Sequence, residues 1–297
     1  MNADSVKARL KNIAKREGRL FQEVLLTYGL ERTIFRIFVS DYANNFVLKG
    51  GILLYALFSK RFTRATIDVD LLAQRISNDV DEIGSIFSEI FNISVDDALR
   101  YDLETLQVKA ITEFKDYHGV NVYIITYLDK TRIPVSIDIG YGDVLYPEQE
   151  RMEFPVLLDM EAPEINAYSR YTVVAEKFEA IVSLGHANSR YKDFYDIYIL
   201  ANSYDFEGDK LQRAIEETFA YRKTSLEDVV AFEDGFVEDD IRQKRWNAFV
   251  GKKVVRKVEF DEVIELIKCF LEPVGNKIIA NDDLKVGWSH EVRKWQS

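Results

Sequence analysis

The segment ATIDVDLLA (65–73) sets two carboxylates, Asp68 and Asp70, inside a run of β-branched and apolar residues. Successive strand side chains point to opposite faces. A strand here therefore puts Ile67, Val69 and Leu71 on one side and Asp68 and Asp70 on the other. Carboxylates that close repel one another, and each loses hydration if covered. Either the face is wet or something positive sits between them. The segment VSIDIG (135–140) repeats the pattern, with Ile137 and Ile139 facing the core and Ser136 and Asp138 the other side. If these strands are neighbours, Asp68, Asp70 and Asp138 meet on one sheet face. Such a trio is a poor structural element but a good cage for a hard divalent cation, because Mg²⁺ takes oxygen ligands and keeps waters and substrate phosphates around it. A solvated pair on a half-exposed strand is the other reading of the DxD, and spacing alone leaves both open.

The pattern around these strands is mixed in the first half of the chain and helical in the second. Residues 4–40 carry apolar positions at helical spacing, among them Leu20, Val24, Leu25, Leu30, Ile34 and Phe35. FVLKGG (46–51) is a short apolar stretch ended by two glycines, after which ILLYALFSKRF (52–62) resumes a helical pattern. A helix is predicted over 81–92, then three β-rich stretches, 106–114, 120–129 and 133–143. Helices are predicted over 171–185, 190–203, 208–219, 225–235, 238–250 and 259–272. The expected class is α+β, with an α/β domain over 1–165 and a helical domain over 166–297 that completes a shared cleft.

Composition narrows the function classes. With 47% hydrophobic residues the chain can bury a substantial core, and no run of eighteen apolar residues indicates a transmembrane helix. The polar N-terminus lacks the apolar segment of a signal peptide, which points to the cytoplasm and away from a membrane. Cys269 is the single cysteine, so an internal disulfide and a multi-cysteine zinc site are excluded; within ELIKCFL it reads as a core residue. A net charge of −11 argues against a broad nucleic-acid-coating surface. Against that background RQKRWNAFVGKKVVRK (242–257) has seven cations and no acid. It is either a solvated helix face or a local polyanion patch, with Lys252, Lys253, Arg256 and Lys257 as candidate polyanion contacts.

Gly50 and Gly51 stand before an apolar helix, where backbone N–H groups of a first turn can meet a phosphate, and Lys49 adds positive charge beside them. Most such glycine pairs are simply turns. Other chemistries find no footing. His118, His186 and His290 are isolated, there is no GxSxG or Walker A motif, and GYGD (140–143) does not extend to a dinucleotide fingerprint. Arg190, Asp193 and Asp196 recur every three residues on one helix face, a spacing that suits a salt-bridged helix start. Asp196, between Tyr195 and Tyr198, reads as a structural hydrogen-bonding residue. Thr66 reads as a β-branched strand former, though it would share a face with Asp68 and a phosphate on it would repel a triphosphate.

Four segments in order, LERTIFRIFVSDYANNFVLKGGILLYAL (30–57), RFTRATIDVDL (61–71), VVAEKFEAIV (173–182) and SRYKDFYDIYIL (189–200), together resemble the AbiEii/AbiGii toxin family, type IV toxin–antitoxin nucleotidyltransferases related to MenT-type toxins. The resemblance implies a DNA-polymerase-β-like nucleotidyltransferase core, a mixed sheet with flanking helices, plus a helical C-terminal domain. It implies an enzyme of a toxin–antitoxin or abortive phage infection (antiviral) system that moves a nucleotide from an NTP to RNA, with tRNA the leading acceptor, releasing pyrophosphate. Mg²⁺, or Mn²⁺ in its place, is the implied cofactor, and a cognate antitoxin the implied partner. By the same resemblance Gly50 and Gly51 match the glycine motif, Asp68 and Asp70 the metal-binding DxD, Lys177 the lysine of the third motif, and Arg190, Lys192 and Asp193 the RxKD motif. Asp138 would complete the metal set. Lys177, Arg190 and Lys192 then go to the triphosphate, and Asp193 orients a base, a lysine or the acceptor. The chain departs from the pattern in lacking a serine after the first glycine and in a longer interval between Gly51 and Asp68. A protein or small-molecule acceptor, or a nucleotide-binding regulatory module without turnover, are the alternatives.

Overall fold

The computed structural model describes residues 1–58, 64, 66–113, 117–227, 229–254 and 256–296; the side chains at 112, 113, 117, 118 and 253 also lie outside the description. The His118 and Lys253 side chains, the 59–62 end of the helix expected after Gly51, and the first residue of the strand expected from Ala65 therefore fall outside it. The chain divides into two compact units. One comprises Met1–Arg61, Ala65–Gly142 and Glu150–Ala167, the other Phe62–Arg64, Asp143–Gln149 and Tyr168–Ser297.

In the first unit, α1 (Ala3–Glu17) is capped where Asn2 Oδ1 accepts from the Asp4 amide. Its Val6, Leu10 and Ile13 pack with Val24, Leu25 and Tyr28 of α2 (Phe21–Phe38) and with Leu128 and Ile133 of the sheet. Then follow β1 (Phe46–Lys49), α3 (Gly50–Leu57), β2 (Val69–Ala73), α4 (Val80–Asn92), β3 (Leu99–Glu113), β4 (Tyr117–Leu128), β5 (Thr131–Tyr141), β6 (Glu150–Glu153) and β7 (Glu164–Ala167). The seven strands make one mixed sheet in the order β3-β4-β5-β2-β1-β7-β6. Interior β1 has Phe46, Val47 and Leu48 fully buried, the near-continuous apolar run expected of a strand covered on both faces. Its neighbour β2 runs antiparallel to β1 and parallel to β5.

A buried ion-pair network lies under α2. Arg36 grips the fully buried Asp97 through both carboxylate oxygens, at 2.6 and 3.2 Å, and Arg32 Nε adds a third bond at 3.4 Å. Bidentate geometry of this kind offsets part of the cost of burying the charges.

The second unit contains α5 (Arg170–Leu184), α6 (Tyr191–Ala201), β8 (Phe206–Glu207), α7 (Gly208–Arg222), α8 (Asp240–Lys253), α9 (Phe260–Ile279), β9 (Gly287–Ser289) and β10 (Lys294–Gln296). Ser169 caps α5 and Asp239 caps α8, each accepting from first-turn amides. Trp246 of α8 is fully buried, stacks on Phe260 at 4.9 Å and donates its indole N–H to the Val258 carbonyl. Among the described residues no helix is long and apolar enough to cross a membrane.

Four expectations need correction. Among the described residues of 225–235 the one helical element is a 3-10 turn at Val230–Phe232. There the Glu227 amide bonds the Ser225 hydroxyl and Gly235 takes φ 85°, local geometry that competes with a helix. The last helix runs past 272, through Pro273 to Ile279. The buried Phe270, Leu271 and Val274 outweigh the one hydrogen bond proline removes. Cys269 is exposed, because it falls between the buried stripe positions Leu266, Ile267 and Phe270. Ile67 is 65% exposed rather than in line with Val69 and Leu71, since Asp68 lies in a bend and the strand begins only at Val69.

Candidate active site

Register brings the acids of the first unit together. Asp70 of β2 stands opposite Asp138 of β5 on one side and Lys49 of β1 on the other. Asp68 sits at the bend just before β2 and accepts the Thr66 hydroxyl at 3.2 Å. Thr66 is thus outside the strand. Oxygen atoms of Asp68, Asp70 and Asp138 all lie within 4.8 Å of one another, and each residue is half-buried. The strand apolar residues around them, Val69, Leu71, Ile137 and Ile139, are 0–1% exposed, so the sheet fixes the acids from one side. Three convergent carboxylate oxygens form an all-oxygen, hard donor set open to waters and phosphates, and they fit Mg²⁺ or Mn²⁺.

The glycines meet this group directly. Gly50 opens α3 with φ 70°, a conformation an L-residue adopts at a cost. A Cβ built on it would lie 1.8 Å from Asp70 Oδ2 and 2.4 Å from its Cγ. Glycine is therefore required both by the backbone turn and by the close passage of Asp70. Gly51 follows in the first turn of α3, and Lys49 occupies the N-cap without a side-chain cap bond.

One contributor had no mark in the sequence reading. Asn121 of β4 pairs in register with Asp138, and its amide nitrogen donates to Asp138 Oδ1 at 2.7 Å and to Ser136 Oγ at 2.8 Å. The signal was present in the alternation of VNVYII, which puts Asn121 on the face opposite the buried Val120, Val122 and Ile124.

The second unit holds the other motif residues. Lys177 of α5, 9% exposed, places its ammonium 3.0 Å from Asp193 Oδ1 and 2.6 Å from Asp196 Oδ2, both carboxylates being essentially buried. Arg64 meets Asp196 through two bonds of 2.6 and 2.8 Å. Arg190 Nε bonds Asp193 Oδ2 at 2.7 Å while about half of its side chain stays exposed. Lys192 is exposed. Burial alone would lower the Lys177 pKa, but Asp196 and Asp193 raise it above the ordinary lysine value. Burial pushes the Asp196 carboxyl up, yet Arg64 and Lys177 hold it below the usual carboxylate range. Lys177 bridges Asp193 and Asp196, and Asp196, which also accepts two hydrogen bonds from Arg64, is the structural hydrogen-bonding residue expected of it. On the basic stretch, Lys252, Arg256 and Lys257 are exposed, Arg242 lies over the Phe236 ring at 4.1 Å, and the Lys253 side chain is outside the description.

No curated protein sequence matches the chain. Among solved structures, JHP933 from Helicobacter pylori covers 85% of this chain and 92% of its own at 15% identity, with a TM-score of 0.47. A candidate nucleotidyltransferase from H. pylori covers 88% of this chain and 98% of its own, also at 15% identity, with a TM-score of 0.50, a likeness of fold. The sequence profile described as nucleotidyl transferase AbiEii toxin, type IV TA system, matches residues 32–265, a span that holds the glycine turn, the three aspartates and the Lys177–Asp193–Arg190 group. On that match, over most of its length, the chain belongs to the AbiEii nucleotidyltransferase toxin family of type IV toxin–antitoxin systems, whose members imply an antitoxin partner.

Proposed function

We propose that the protein transfers a nucleotide from an NTP to a cellular RNA, with tRNA as the leading acceptor, and that it acts as the toxin of its system in the cytoplasm. The observation that carries this reading is the convergence of Asp68, Asp70 and Asp138 beside the Gly50 turn. In the proposed reaction an acceptor hydroxyl attacks the α-phosphorus in line. The new O–P bond replaces the bond to the pyrophosphate leaving group, and the hydroxyl proton passes to water. Such chemistry asks a protein chiefly for positioning and for neutralisation of charge.

Asp68, Asp70 and Asp138 would hold Mg²⁺, or Mn²⁺ in its place. A bound divalent cation there supplies charge neutralisation on the triphosphate and a lowered pKa at the attacking hydroxyl. Gly50 and Gly51 give the phosphates backbone access, with Lys49 adding charge. In the second unit Arg190 and Lys192 are the proposed anion contacts. Lys177, already paired with two buried carboxylates, is proposed to act on the nucleotide through Asp193 and Arg190.

The test is transfer of label from each α-³²P-labelled NTP to total cellular RNA with Mg²⁺, comparing wild type with Asp68→Ala/Asp70→Ala. A discrete labelled RNA band with wild type alone is the expected result. Label in protein or in small molecules, with none in RNA, would refute the RNA acceptor. No label anywhere, with nucleotide bound, would favour a regulatory module.

A further inference from the structure

We infer that Asn121 is the positioning residue of the carboxylate trio, setting the rotamer of Asp138 so that the three acids converge; the inference rests on the metal-site reading above. A carboxylate on a half-exposed strand has a broad terminal torsion and can turn away from its neighbours, as electrostatic repulsion from Asp68 and Asp70 would encourage. Asn121 opposes that. It stands directly across the β4–β5 ladder from Asp138, and its amide nitrogen has two hydrogens for two close acceptors, Asp138 Oδ1 at 2.7 Å and Ser136 Oγ at 2.8 Å. The Ile137 carbonyl at 3.5 Å is a marginal third. An ionised carboxylate only accepts, so Asp138 dictates which way the amide faces, and Ser136 completes the fork. The bridge leaves the trio's net charge unchanged and still delivers donor hydrogens where a cation would draw the acids together.

Groups of this kind, hydrogen-bonded to a metal ligand from behind, commonly carry a 10- to 100-fold share of metal affinity. The test is Mn²⁺ binding followed by electron paramagnetic resonance, on wild type, Asn121→Ala, Ser136→Ala and Asp138→Ala, with circular dichroism and melting temperature as the check on folding. Wild type should bind Mn²⁺, and Asn121→Ala should bind it about 10- to 100-fold more weakly with its fold intact. Nucleotide transfer by Asn121→Ala should recover as Mn²⁺ is raised, whereas Asp138→Ala should not recover. Ser136→Ala, which leaves the Asp138 bond in place, should weaken binding by less than about tenfold. Equal Mn²⁺ affinity in wild type and a folded Asn121→Ala overturns the inference alone. Where the alanine at 121 fails to fold, Asn121→Leu, which keeps the bulk of the side chain without its donor, takes its place, and a folded leucine variant with wild-type Mn²⁺ affinity overturns the inference likewise. A wild type that binds no Mn²⁺ overturns the metal site and this inference with it.

Discussion

At Gly50 a side chain would collide with the acid that the site needs. A methyl group there meets Asp70 Oδ2 at 1.8 Å, and the φ of 70° adds backbone strain of about 1–3 kcal/mol for an L-residue. Turning the carboxylate clears its oxygen but not the 2.6 Å contact with Asp70 Cβ, which the β2 backbone fixes, so the turn and the strand must move apart as well. Gly50→Ala is therefore expected to lower the melting temperature clearly and to lose nucleotide transfer by about 100-fold or more, as a 1 Å misplacement in a reacting site can. A Gly50→Ala protein with wild-type transfer would show that Asp70 is not needed where it stands. Much of this site could be read from residues alone. Asp138 was legible because its strand alternates strictly, so one buried face implied one acidic face. Asn121 was not, because a lone asparagine on the outer face of a strand looks like any solvated residue until register sets it across from Asp138. Ile67 misled for a related reason: apolar character suggested a strand partner, but the bend at Asp68 takes it out of the ladder.

Among the elements, α5 and α6 are tied by charge as well as by packing. Lys177 reaches Asp193 and Asp196, and Arg64 closes on Asp196 from its other side. The Asp196 carboxyl is held below its unfolded value, so its contribution to stability is complete above about pH 4 and is lost as pH falls through the folded value. Lys177 is raised, so its contribution is complete below about pH 10 and is lost as pH rises through the folded value. Between those limits the cluster contributes fully. Asp196→Asn leaves two cations facing one fewer buried carboxylate, and should cost about 3–5 kcal/mol at pH 7. Urea unfolding at pH 3 to 7 should show a shallower acid loss in the variant than in wild type; identical slopes would remove Asp196 from the acid transition. The helices around this cluster were readable from apolar spacing, and the caps at Ser169 and Asp239 fix where two of them start. The three short strands β8, β9 and β10 were not, since two or three residues carry no period, and their pairing depends on contacts such as Trp288 with Phe270 and Trp295. Residues 225–235 failed in the opposite direction, where apolar side chains at helical intervals serve a turn.

At the scale of the whole chain, a net charge of −11 must be reconciled with the proposed RNA acceptor. The net charge repels a polyanion at long range, so an RNA acceptor would have to be met by a local concentration of cations. The 242–257 stretch is built for display: Trp246 and Val250 anchor α8 inward, which leaves Lys244, Arg245 and Lys252 outward, with Arg256 and Lys257 exposed beyond the helix. If Lys252, Arg256 and Lys257 contact phosphates, each contact releases counterions, and log K falls with log salt by about 0.7–0.9 per contact. Reversing all three to glutamate should weaken tRNA binding and reduce that slope by about 2 to 3, while Mn²⁺ binding at the aspartates stays unchanged. Fluorescence anisotropy with labelled tRNA across 50–200 mM salt, a range of the order where such slopes are plain, reads the difference. A variant with the wild-type slope would mean that these cations only solvate α8 and its continuation. The acceptor would then have to be held by cations elsewhere on an acidic protein, and the unchanged Mn²⁺ binding would show that the loss of this patch left the chemistry of the site standing.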